Sequence, residues 1–587
     1  MKDNLNIPYG VADFKRIRNE GYCYIDKTGY IPLLEQAGSF LVFVRPRRFG
    51  KSLMASMLRC YYDIAEADNF DRLFGGLTIA ENPTENKNRY QVLYMDFSKI
   101  GGSANQSLQE RFENYVGDRL DDFMKRYGAA YGNDIVSAVA ADTPAGKFTK
   151  IASAAERLGL HLYLMLDEYD NFTNQMLQAE GNNSYRDITH GQGFYRAWFK
   201  MFKGSFDRIY MTGVSPVTMD DLTSGFNIAT NISQDAVFNS MLGFSEEECL
   251  KLYTDFQGVG AYTSGTPAEW VAAIKPWYDG YCFASRKRGK ESVFNSDMAL
   301  YFLSSLVQTG EAPETWVDTN IRTDYAKLRA IADIQRRIDP EHVQDSLPVT
   351  ERLAADGEIQ FELKPSFPAD SIPKPENFKS LFYYYGILSM KERREGLDWF
   401  QVPNICVRRQ VFDYLREQFT RTNHPDWSEW SALAAAFAYR GEWEPFLRRL
   451  ADDFAATTPV RGGIQGEHRI QGYMQAEFGH LNFYLMEPEM ELSRGFCDFC
   501  LFPERYRYGD VKHSYLVELK YSAKDASDAD LATKRAEALD QLAKYRADSS
   551  VPTLARGTTL HQLVFQFKGS DLVRAEQIAE EQMVSAF

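Results

Sequence analysis

The segment Phe40-Leu41-Val42-Phe43-Val44-Arg45-Pro46-Arg47-Arg48-Phe49-Gly50-Lys51-Ser52 decides the fold of the first part of this 587-residue chain. Its first five residues are apolar, which predicts a short buried strand. A basic loop follows, and after it comes an apolar stripe at helical spacing, made of Leu53, Met54, Met57, Leu58 and Tyr61. The segment therefore predicts a strand, a loop and a helix in direct succession.

This order is typical of a loop that binds phosphate, because the backbone N–H groups at a helix N-terminus favour an anion. Gly50, Lys51 and Ser52 meet the needs of such a P-loop: a lysine reaches the β- and γ-phosphates, and a hydroxyl binds Mg²⁺. Arg48 is a further candidate contact for the nucleotide. The general P-loop has glycine where Arg45 stands, so this segment alone leaves an ordinary basic turn as the alternative.

A second apolar segment, Leu162 to Leu166, ends in the adjacent carboxylates of Asp167 and Glu168. We expect Asp167 to hold Mg²⁺ and Glu168 to polarise the attacking water, which is the division of labour that phosphoryl transfer requires. The alternative is an acidic loop at a strand end. The Gly-Lys-Ser sequence after another strand disfavours it.

Two more apolar runs, Val92 to Asp96 and Ile209 to Thr212, alternate with helical patterns. Short buried strands separated by helices indicate a largely parallel α/β sheet up to about Phe244. The small polar residues from Thr212 to Pro216 are weaker candidates for sensing a γ-phosphate.

The chain resembles the bacterial AAA-ATPase-like family in Tyr24-Ile25-Asp26-Lys27-Thr28, in Arg45 to Ser52, in Leu166 to Asp170 and in Thr212 to Pro216. In that family an arginine-rich loop ending in Gly-Lys-Ser is usual. The resemblance implies that the chain binds and hydrolyses ATP with Mg²⁺.

The resemblance continues through Gly243 to Glu248 and through Trp277-Tyr278-Asp279-Gly280-Tyr281. We expect Trp277, Tyr278 and Tyr281 to be packing anchors of a helical lid over the nucleotide domain. On this interpretation the lid makes no substrate contact of its own.

A second group of polar residues lies on two predicted strands near the C-terminus, Gly495 to Leu501 and Tyr515 to Tyr521. Because side chains alternate along a strand, Glu518 and Lys520 share one face. If Asp498 faces the same cleft, Asp498 and Glu518 would bind one or two divalent metal ions, and Lys520 would orient water or stabilise the transition state. A solvated strand face is the alternative.

A predicted helix follows, with Gln541 and Tyr545 on one face. The order Asp, Glu-x-Lys, Gln-x-x-x-Tyr resembles the PD-(D/E)XK nuclease superfamily, which implies a catalytic role for Gln541. It also implies an upstream helical glutamate, for which Glu467 is the first choice and Glu477 the rival.

The seven cysteines are scattered and odd in number, which argues against a secreted disulfide framework. Cys497 and Cys500 are expected on opposite faces of a strand, so we reject a zinc site there. No apolar run is long enough to span a membrane, and a cytoplasmic protein is expected. The net charge of -15 disfavours indiscriminate binding to nucleic acid, so any DNA contact must be local.

The sequence thus predicts an α/β P-loop NTPase domain at 1–244, a mostly helical middle region at 245–421 and an α+β PD-(D/E)XK nuclease-like domain at 422–587. The leading interpretation is an ATPase that controls a DNA nuclease dependent on Mg²⁺ or Mn²⁺. The rival is a nucleotide-dependent switch or scaffold whose nuclease-like domain is inactive and only binds. Assembly into a homo-oligomer is left open.

Overall fold

Five short segments form one parallel sheet in the first part of the chain. They are β1 (Phe40–Val44), β2 (Gln91–Asp96), β3 (Leu162–Asp167), β4 (Arg208–Gly213) and β5 (Thr230–Asn231). The spatial order is β2-β3-β4-β1-β5, and every neighbouring pair is parallel. All residues of β3 and β4 are buried, as expected for central strands of a parallel sheet. The carboxyl ends of these strands share one edge, where α/β sheets bind their ligands.

The structure is a computed structural model, and it describes residues 5–101, 106–171, 193–217, 229–318, 346–368, 371–372, 374–420, 427–457, 467–492 and 495–578. The chain divides into two compact units. The N-terminal unit contains residues 1–343 and 360–404, and the C-terminal unit contains residues 344–359 and 405–587. The three domains expected from the sequence stay a prediction, since this division into two units does not test their boundaries.

The helices of the N-terminal unit begin where the sequence offers caps. Three helices begin with a capping box, at Ser107, Ser245 and Thr266. The capping hydroxyl accepts a hydrogen bond from the backbone N–H of a glutamate three residues later, and the carboxylate of that glutamate accepts the backbone N–H of the capping residue. The α-helices of this unit are Phe14–Asn19, Ile31–Ala37, Lys51–Tyr62, Phe70–Phe74, Thr78–Glu81, Leu108–Tyr127, Asn133–Ala140, Pro144–Leu158, Phe194–Lys203, Glu246–Gly258, Pro267–Tyr278, Ser296–Thr309 and Pro375–Tyr384.

The middle region also contains strands that the sequence did not predict. The short strand β6 (Glu358–Gln360) lies where the chain returns to the N-terminal unit. An antiparallel hairpin of β7 (Ser389–Arg394) and β8 (Leu397–Gln401) follows. Its turn contains Gly396 at a φ of 84°, a conformation that glycine adopts without strain. In its described residues the region is mostly helical, as expected, with the three strands β6, β7 and β8 added.

The anchors predicted in the middle region are buried. Trp277 is 2% exposed, and its ring centroid lies 5.2 Å from that of Trp316. The Tyr278 hydroxyl donates to the Trp316 carbonyl at 2.8 Å. The ring of Tyr281 packs edge-on against Phe49 of the loop after β1, with centroids 4.8 Å apart. These aromatic residues stabilise the helical region and brace the loop.

The C-terminal unit is built on a second five-stranded sheet, ordered β13-β12-β11-β10-β9. Its strands are β9 (Tyr484–Leu492), β10 (Gly495–Pro503), β11 (His513–Ser522), β12 (Thr559–Lys568) and β13 (Asp571–Gln577). Strands β11 and β12 are parallel, and the other neighbours are antiparallel. Strand β13 pairs along the outer edge of β12.

Helices pack against this mixed sheet. The helix Asp528–Arg546 connects β11 to β12, so the parallel pair has the crossover that such strands need. A buried cluster beneath it includes Leu516, Leu542 and Val564, each 0% exposed. The other α-helices of this unit are Ser346–Asp356, Ile405–Thr420, Trp427–Arg440, Trp443–Thr457, Glu467–Gly479 and Val551–Leu554. The unit is the α+β structure that the sequence predicted.

Candidate nucleotide and nuclease sites

The loop after β1 has the backbone of a phosphate-binding turn. The Arg45 N–H donates to the Gly213 carbonyl at 3.1 Å, which fixes the loop to the end of β4. Arg48 and Gly50 both have positive φ angles, of 67° and 91°. The helix begins at Lys51 directly after Gly50, so the N–H groups of its first turn face the space above the loop.

The position of the Arg45 side chain explains why the loop tolerates an arginine where the general P-loop has its first glycine. Its guanidinium is 2% exposed and donates to the carbonyls of Val44, Ser233 and Phe238 at 3.0, 2.6 and 2.9 Å. It also stacks between two aromatic rings, those of Phe43 and Phe283, at 4.2 and 4.3 Å from their centroids. The side chain points into the core and leaves the phosphate side of the loop open.

Lys51 and the two carboxylates after β3 meet at the sheet edge. Lys51 Nζ donates to the Pro46 carbonyl at 3.2 Å and lies 3.5 Å from a Glu168 carboxylate oxygen. Asp167 is 1% exposed, and burial raises its pKa. Its carboxylate accepts a hydrogen bond from the Tyr94 hydroxyl at 3.2 Å, and the nearby Ser52 side chain acts to lower the Asp167 pKa. Four predicted residues are thus brought together: Lys51, Ser52, Asp167 and Glu168.

Asp170 is a residue whose role the sequence did not reveal. It is 1% exposed, and its carboxylate accepts hydrogen bonds from the backbone N–H groups of Val214 and Ser215. Burial, together with the negative charge of Glu168, raises its pKa to about 6. Gly213 permits this approach, because a Cβ there would lie 2.3 Å from the Asp170 carboxylate. Asp170 therefore holds the segment that was predicted to sense the γ-phosphate.

Thr212 lies in the protein interior at the carboxyl-terminal edge of the sheet, whereas Arg48 is paired with carboxylates. Thr212 is 0% exposed, and its hydroxyl is among those with no hydrogen-bond partner in the described residues.

The Arg48 guanidinium lies 2.9 Å from an Asp297 oxygen and 3.6 Å from an Asp318 oxygen. The predicted nucleotide contact Arg48 is thus already paired with carboxylates of the helical region.

A cavity of about 270 Å³ opens beside the loop. Arg48, Gly50, Lys51, Ser52 and Glu168 line its polar end. Its apolar end is formed by an N-terminal segment and the helical region, with Pro8, Val11, Cys23, Ile25, Leu252 and Leu300 among the lining residues. Helices of the middle region form part of the wall of this cavity, and the expectation that they make no substrate contact stays a prediction.

The second predicted site lies where β10 and β11 separate. Their paired residues end at Phe499 and Val517. Beyond that point, one carboxylate oxygen of Asp498 accepts the N–H of Leu519 at 2.8 Å, and the other accepts the Gln471 side-chain amide at 3.0 Å. The carboxylate of Asp498 thus takes a place in the β10–β11 gap, next to the strand that carries Glu518.

Glu518 and Lys520 share a strand face, as predicted, and pair at 2.7 Å. Glu518 is 1% exposed, and its second oxygen, Oε2, has no hydrogen-bond partner in the described part of the chain. Burial and the nearby charge of Asp498 raise the Glu518 pKa to about 8, although Lys520 acts in the opposite direction. Lys520 therefore offsets only part of the cost of ionising the buried Glu518, and a bound cation would favour its charged form.

Gln541 and Tyr545 lie on the helix Asp528–Arg546, which packs against β10 and β11. Gln541 is half-buried, and within the described ranges its Oε1 atom has no hydrogen-bond partner. Tyr545 is 1% exposed, and burial together with the charge of Glu518 raises its pKa. The helix thus offers a buried amide oxygen beside the carboxylate-bearing strands.

The upstream glutamates have different outcomes. The Glu467 side chain lies outside the described residues. Glu477 is buried and accepts a hydrogen bond from Trp430 at 3.1 Å, and it lies 3.3 Å from Arg416. Gln471, on the same helix, is the residue that reaches Asp498. Its position four residues after Glu467 was the only available signal, because such spacing shares one helix face.

The expectation that Cys497 and Cys500 face opposite sides of the strand was wrong. Both belong to one buried cluster, and the Cys497 thiol donates to the carbonyls of Phe499 and Val517 at 3.6 and 3.9 Å. The alternation of faces is broken between them, where the Asp498 side chain enters the gap between strands. Both cysteines are at most 1% exposed, and among the described residues no group of three metal-ligating side chains is found. A zinc site remains unsupported.

Comparisons with known proteins fit both sites. Residues 8–223 match the AAA-ATPase-like family, described as predicted AAA-ATPases, and residues 465–577 match the PD-(D/E)XK nuclease superfamily. The chain carries an AAA-ATPase-like domain and a PD-(D/E)XK nuclease superfamily domain. The candidate residues Gly50, Lys51, Ser52, Asp167 and Glu168 fall in the first match, and Asp498, Glu518, Lys520 and Gln541 in the second. No helix of the described residues is both long and apolar enough to cross a membrane.

One curated relative is a protein of Azotobacter chroococcum mcd 1, described as an uncharacterized protein in the vnfD 5' region. It is 27% identical over 332 residues, which cover 55% of each chain. The match therefore spans about half the length of that relative. Among solved structures, Cdc6p from Pyrobaculum aerophilum aligns at 8% identity and a TM-score of 0.27, and the Aeropyrum pernix ORC2 protein at 11% and 0.29. Each alignment covers 69% of this chain and 98% of the other.

Proposed function

We propose that this protein binds and hydrolyses ATP in its AAA-ATPase-like domain and uses that cycle to regulate a metal-dependent DNA nuclease site in its C-terminal domain. The observation that carries the proposal is the arrangement around Glu518, a buried carboxylate that pairs with Lys520 through one oxygen and has no hydrogen-bond partner for the other in the described residues. Both domains lie on one chain, which supports the regulatory link.

The residues of the nuclease site fit a divalent ion. The Oε2 atom of Glu518 is buried without a partner in the described residues, and the Glu518 pKa is raised to about 8, so a cation would satisfy an oxygen and balance charge. Asp498 and Glu518 would hold Mg²⁺ or Mn²⁺, both of which prefer oxygen ligands. When bound, such an ion activates water and stabilises the charge that develops on a phosphodiester.

The chain's own residues supply the remaining roles. Lys520 is a cation within 2.7 Å of Glu518, where it would orient the attacking water or stabilise the phosphate in the transition state. Gln541 would orient the same water through its buried amide oxygen. The match to the PD-(D/E)XK nuclease superfamily supports a nucleic-acid substrate, and DNA is the substrate proposed for the assay.

In the N-terminal unit, Gly50 and Lys51 would bind the nucleotide phosphates, while Ser52 and Asp167 would hold Mg²⁺. The nearness of the Ser52 side chain to Asp167 supports this pair, because a P-loop serine and a strand-end aspartate hold the ion together in NTPases. Glu168 would polarise the attacking water. Arg48 would contact phosphate after leaving its present carboxylate partners.

The nuclease assay compares single- and double-stranded DNA with Mg²⁺, with Mn²⁺ and with a chelator. Cleavage is expected only with metal. Asp498→Ala, Glu518→Ala and Lys520→Ala should each remove it, with an unchanged melting temperature, and Gln541→Ala should be milder. Glu537→Ala is the matched control, because Glu537 is exposed on the adjacent helix. Equal cleavage by wild type and Glu518→Ala would overturn the nuclease proposal.

The ATPase assay separates binding from hydrolysis. Lys51→Ala should lose tight ATP binding in calorimetry, because its ammonium group contacts phosphate. Glu168→Gln should bind ATP normally and lose hydrolysis. Lys125→Ala, at an exposed lysine, is the control. If DNA cleavage is identical with and without ATP in the wild type, the regulatory link fails even if both activities exist.

A further inference from the structure

The Asp498 carboxylate is held by two N–H donors from different parts of the C-terminal unit. One oxygen accepts the Leu519 backbone N–H at 2.8 Å, and the other accepts the Gln471 side-chain amide at 3.0 Å. The first donor is fixed by the strand β11. The second comes from a side chain with several rotatable bonds, so its position depends on the packing of its helix.

That packing is tight. Gln471 is 8% exposed, and its helix, Glu467–Gly479, lies against β9 and β11. Its neighbours Ile470 and Met474 are each 1% exposed, so the helix face that carries Gln471 is anchored in the core. A buried amide held in this way presents its N–H group in one direction. The amide is neutral, so it donates a hydrogen bond to the carboxylate without adding charge to the site.

We infer that Gln471 is a positioning residue of the nuclease site, which fixes the orientation of Asp498 for a divalent metal ion. The inference rests on the proposed function, since it concerns the ion that Asp498 and Glu518 would hold. Metal-ligating carboxylates are commonly oriented by a second hydrogen bond, and loss of such a partner costs about 10–100-fold in metal affinity or activity. Gln471 acts through Asp498 and does not itself touch the substrate.

The electrostatics of the site also favour a neutral amide at position 471. A glutamate there would place a third carboxylate beside Asp498 and Glu518, and burial would make that charge costly. A lysine would compete with the metal ion for the carboxylate. Glutamine donates one hydrogen bond and adds no charge, so it orients Asp498 while leaving the site attractive to a cation.

The test measures Mn²⁺ binding to the full-length protein by calorimetry, without DNA or nucleotide, in wild type and in Gln471→Met. Methionine has nearly the same length but no donor. The expected result is an Mn²⁺ affinity reduced about 10-fold or more, with an unchanged melting temperature. Gln577→Met is the control, because Gln577 is a glutamine on β13 that hydrogen-bonds to Trp443 and not to Asp498. It should bind Mn²⁺ as the wild type does.

A second variant and a double mutant keep the test decisive. Gln471→Asn retains the amide but is one methylene too short to reach Asp498, so it should show the same loss of affinity even if Gln471→Met fails to fold. In an Asp498→Ala background, where Glu518 is the remaining carboxylate ligand, Gln471→Met should cause no further change in Mn²⁺ affinity, because the effect passes through Asp498.

The outcomes separate the two claims. Wild-type Mn²⁺ binding with unchanged affinity in Gln471→Met and Gln471→Asn would overturn the positioning role and leave the nuclease proposal standing. An additional loss in the Asp498→Ala background would also overturn it. A wild type that binds no Mn²⁺ would overturn both the proposed function and this inference.

Discussion

Replacing Arg45 by alanine tests whether this side chain belongs to the core or to the phosphate site. The guanidinium donates to three carbonyl oxygens and stacks on two aromatic rings. Hydrogen bonds from a charged group contribute about 1.5–3 kcal/mol each, and a desolvated cation–π contact about 2 kcal/mol. These contributions are opposed by the cost of burying a charge, and that burial lowers the Arg45 pKa to about 10. We expect Arg45→Ala to reduce the free energy of unfolding by about 3–5 kcal/mol, because three buried carbonyls lose their donor.

The assay is urea unfolding of the full chain followed by tryptophan fluorescence, with ATP affinity measured by calorimetry well below the transition. ATP affinity should stay within about twofold of wild type, since Arg45 points away from the phosphate side of the loop. Arg72→Ala is the control, because Arg72 is exposed, and it should change stability by less than about 0.5 kcal/mol. Unchanged stability in Arg45→Ala together with a tenfold loss of ATP affinity would refute the reasoning.

Two further predictions concern stability. Trp277→Ala should destabilise the N-terminal unit by about 3–5 kcal/mol, because the ring is 2% exposed and its loss leaves a cavity against Trp316; an unchanged melting temperature would contradict this. Burial raises the Glu477 pKa from 4.5 to about 7. The folded state therefore holds this proton more tightly than the unfolded state, so the contribution of Glu477 to stability falls as the pH rises from about 4.5 to 7, by up to about 3 kcal/mol. Glu477→Gln should flatten that part of a stability profile measured by urea unfolding, and an unchanged profile would argue that Glu477 stays ionised beside Arg416.

The sequence predicted local structure well where short-range patterns determine it. Apolar runs predicted β1 to β4, and the Gly-Lys-Ser sequence predicted where the helix after β1 begins. The meeting of Lys51 with Glu168 also followed, because parallel strands bring their carboxyl ends to one edge. The sequence also predicted that Glu518 and Lys520 share a face, because side chains two residues apart on a strand point the same way.

Features that depend on distant packing were not predictable. The direction of the Arg45 side chain depends on carbonyls of Ser233 and Phe238, almost two hundred residues away in the chain. The contact of Gln471 with Asp498 depends on how one helix docks on the sheet. Cys497 and Cys500 were misjudged because regular alternation was assumed through Asp498, whose side chain enters the gap between two strands.

The discontinuous course of the chain has a consequence for its synthesis. The helix Ser346–Asp356 belongs to the C-terminal unit, but the chain then returns to the N-terminal unit for residues 360–404. This helix packs on the helices Ile405–Thr420 and Glu467–Gly479, which leave the ribosome later. Its apolar residues Val349 and Leu353, buried in the final fold, therefore lack both partner helices until the chain has been made through residues 405–420 and then 467–479. A nascent chain of this protein would need protection from aggregation during that interval, and a fragment that starts at residue 405 would permanently lack one of its own helices.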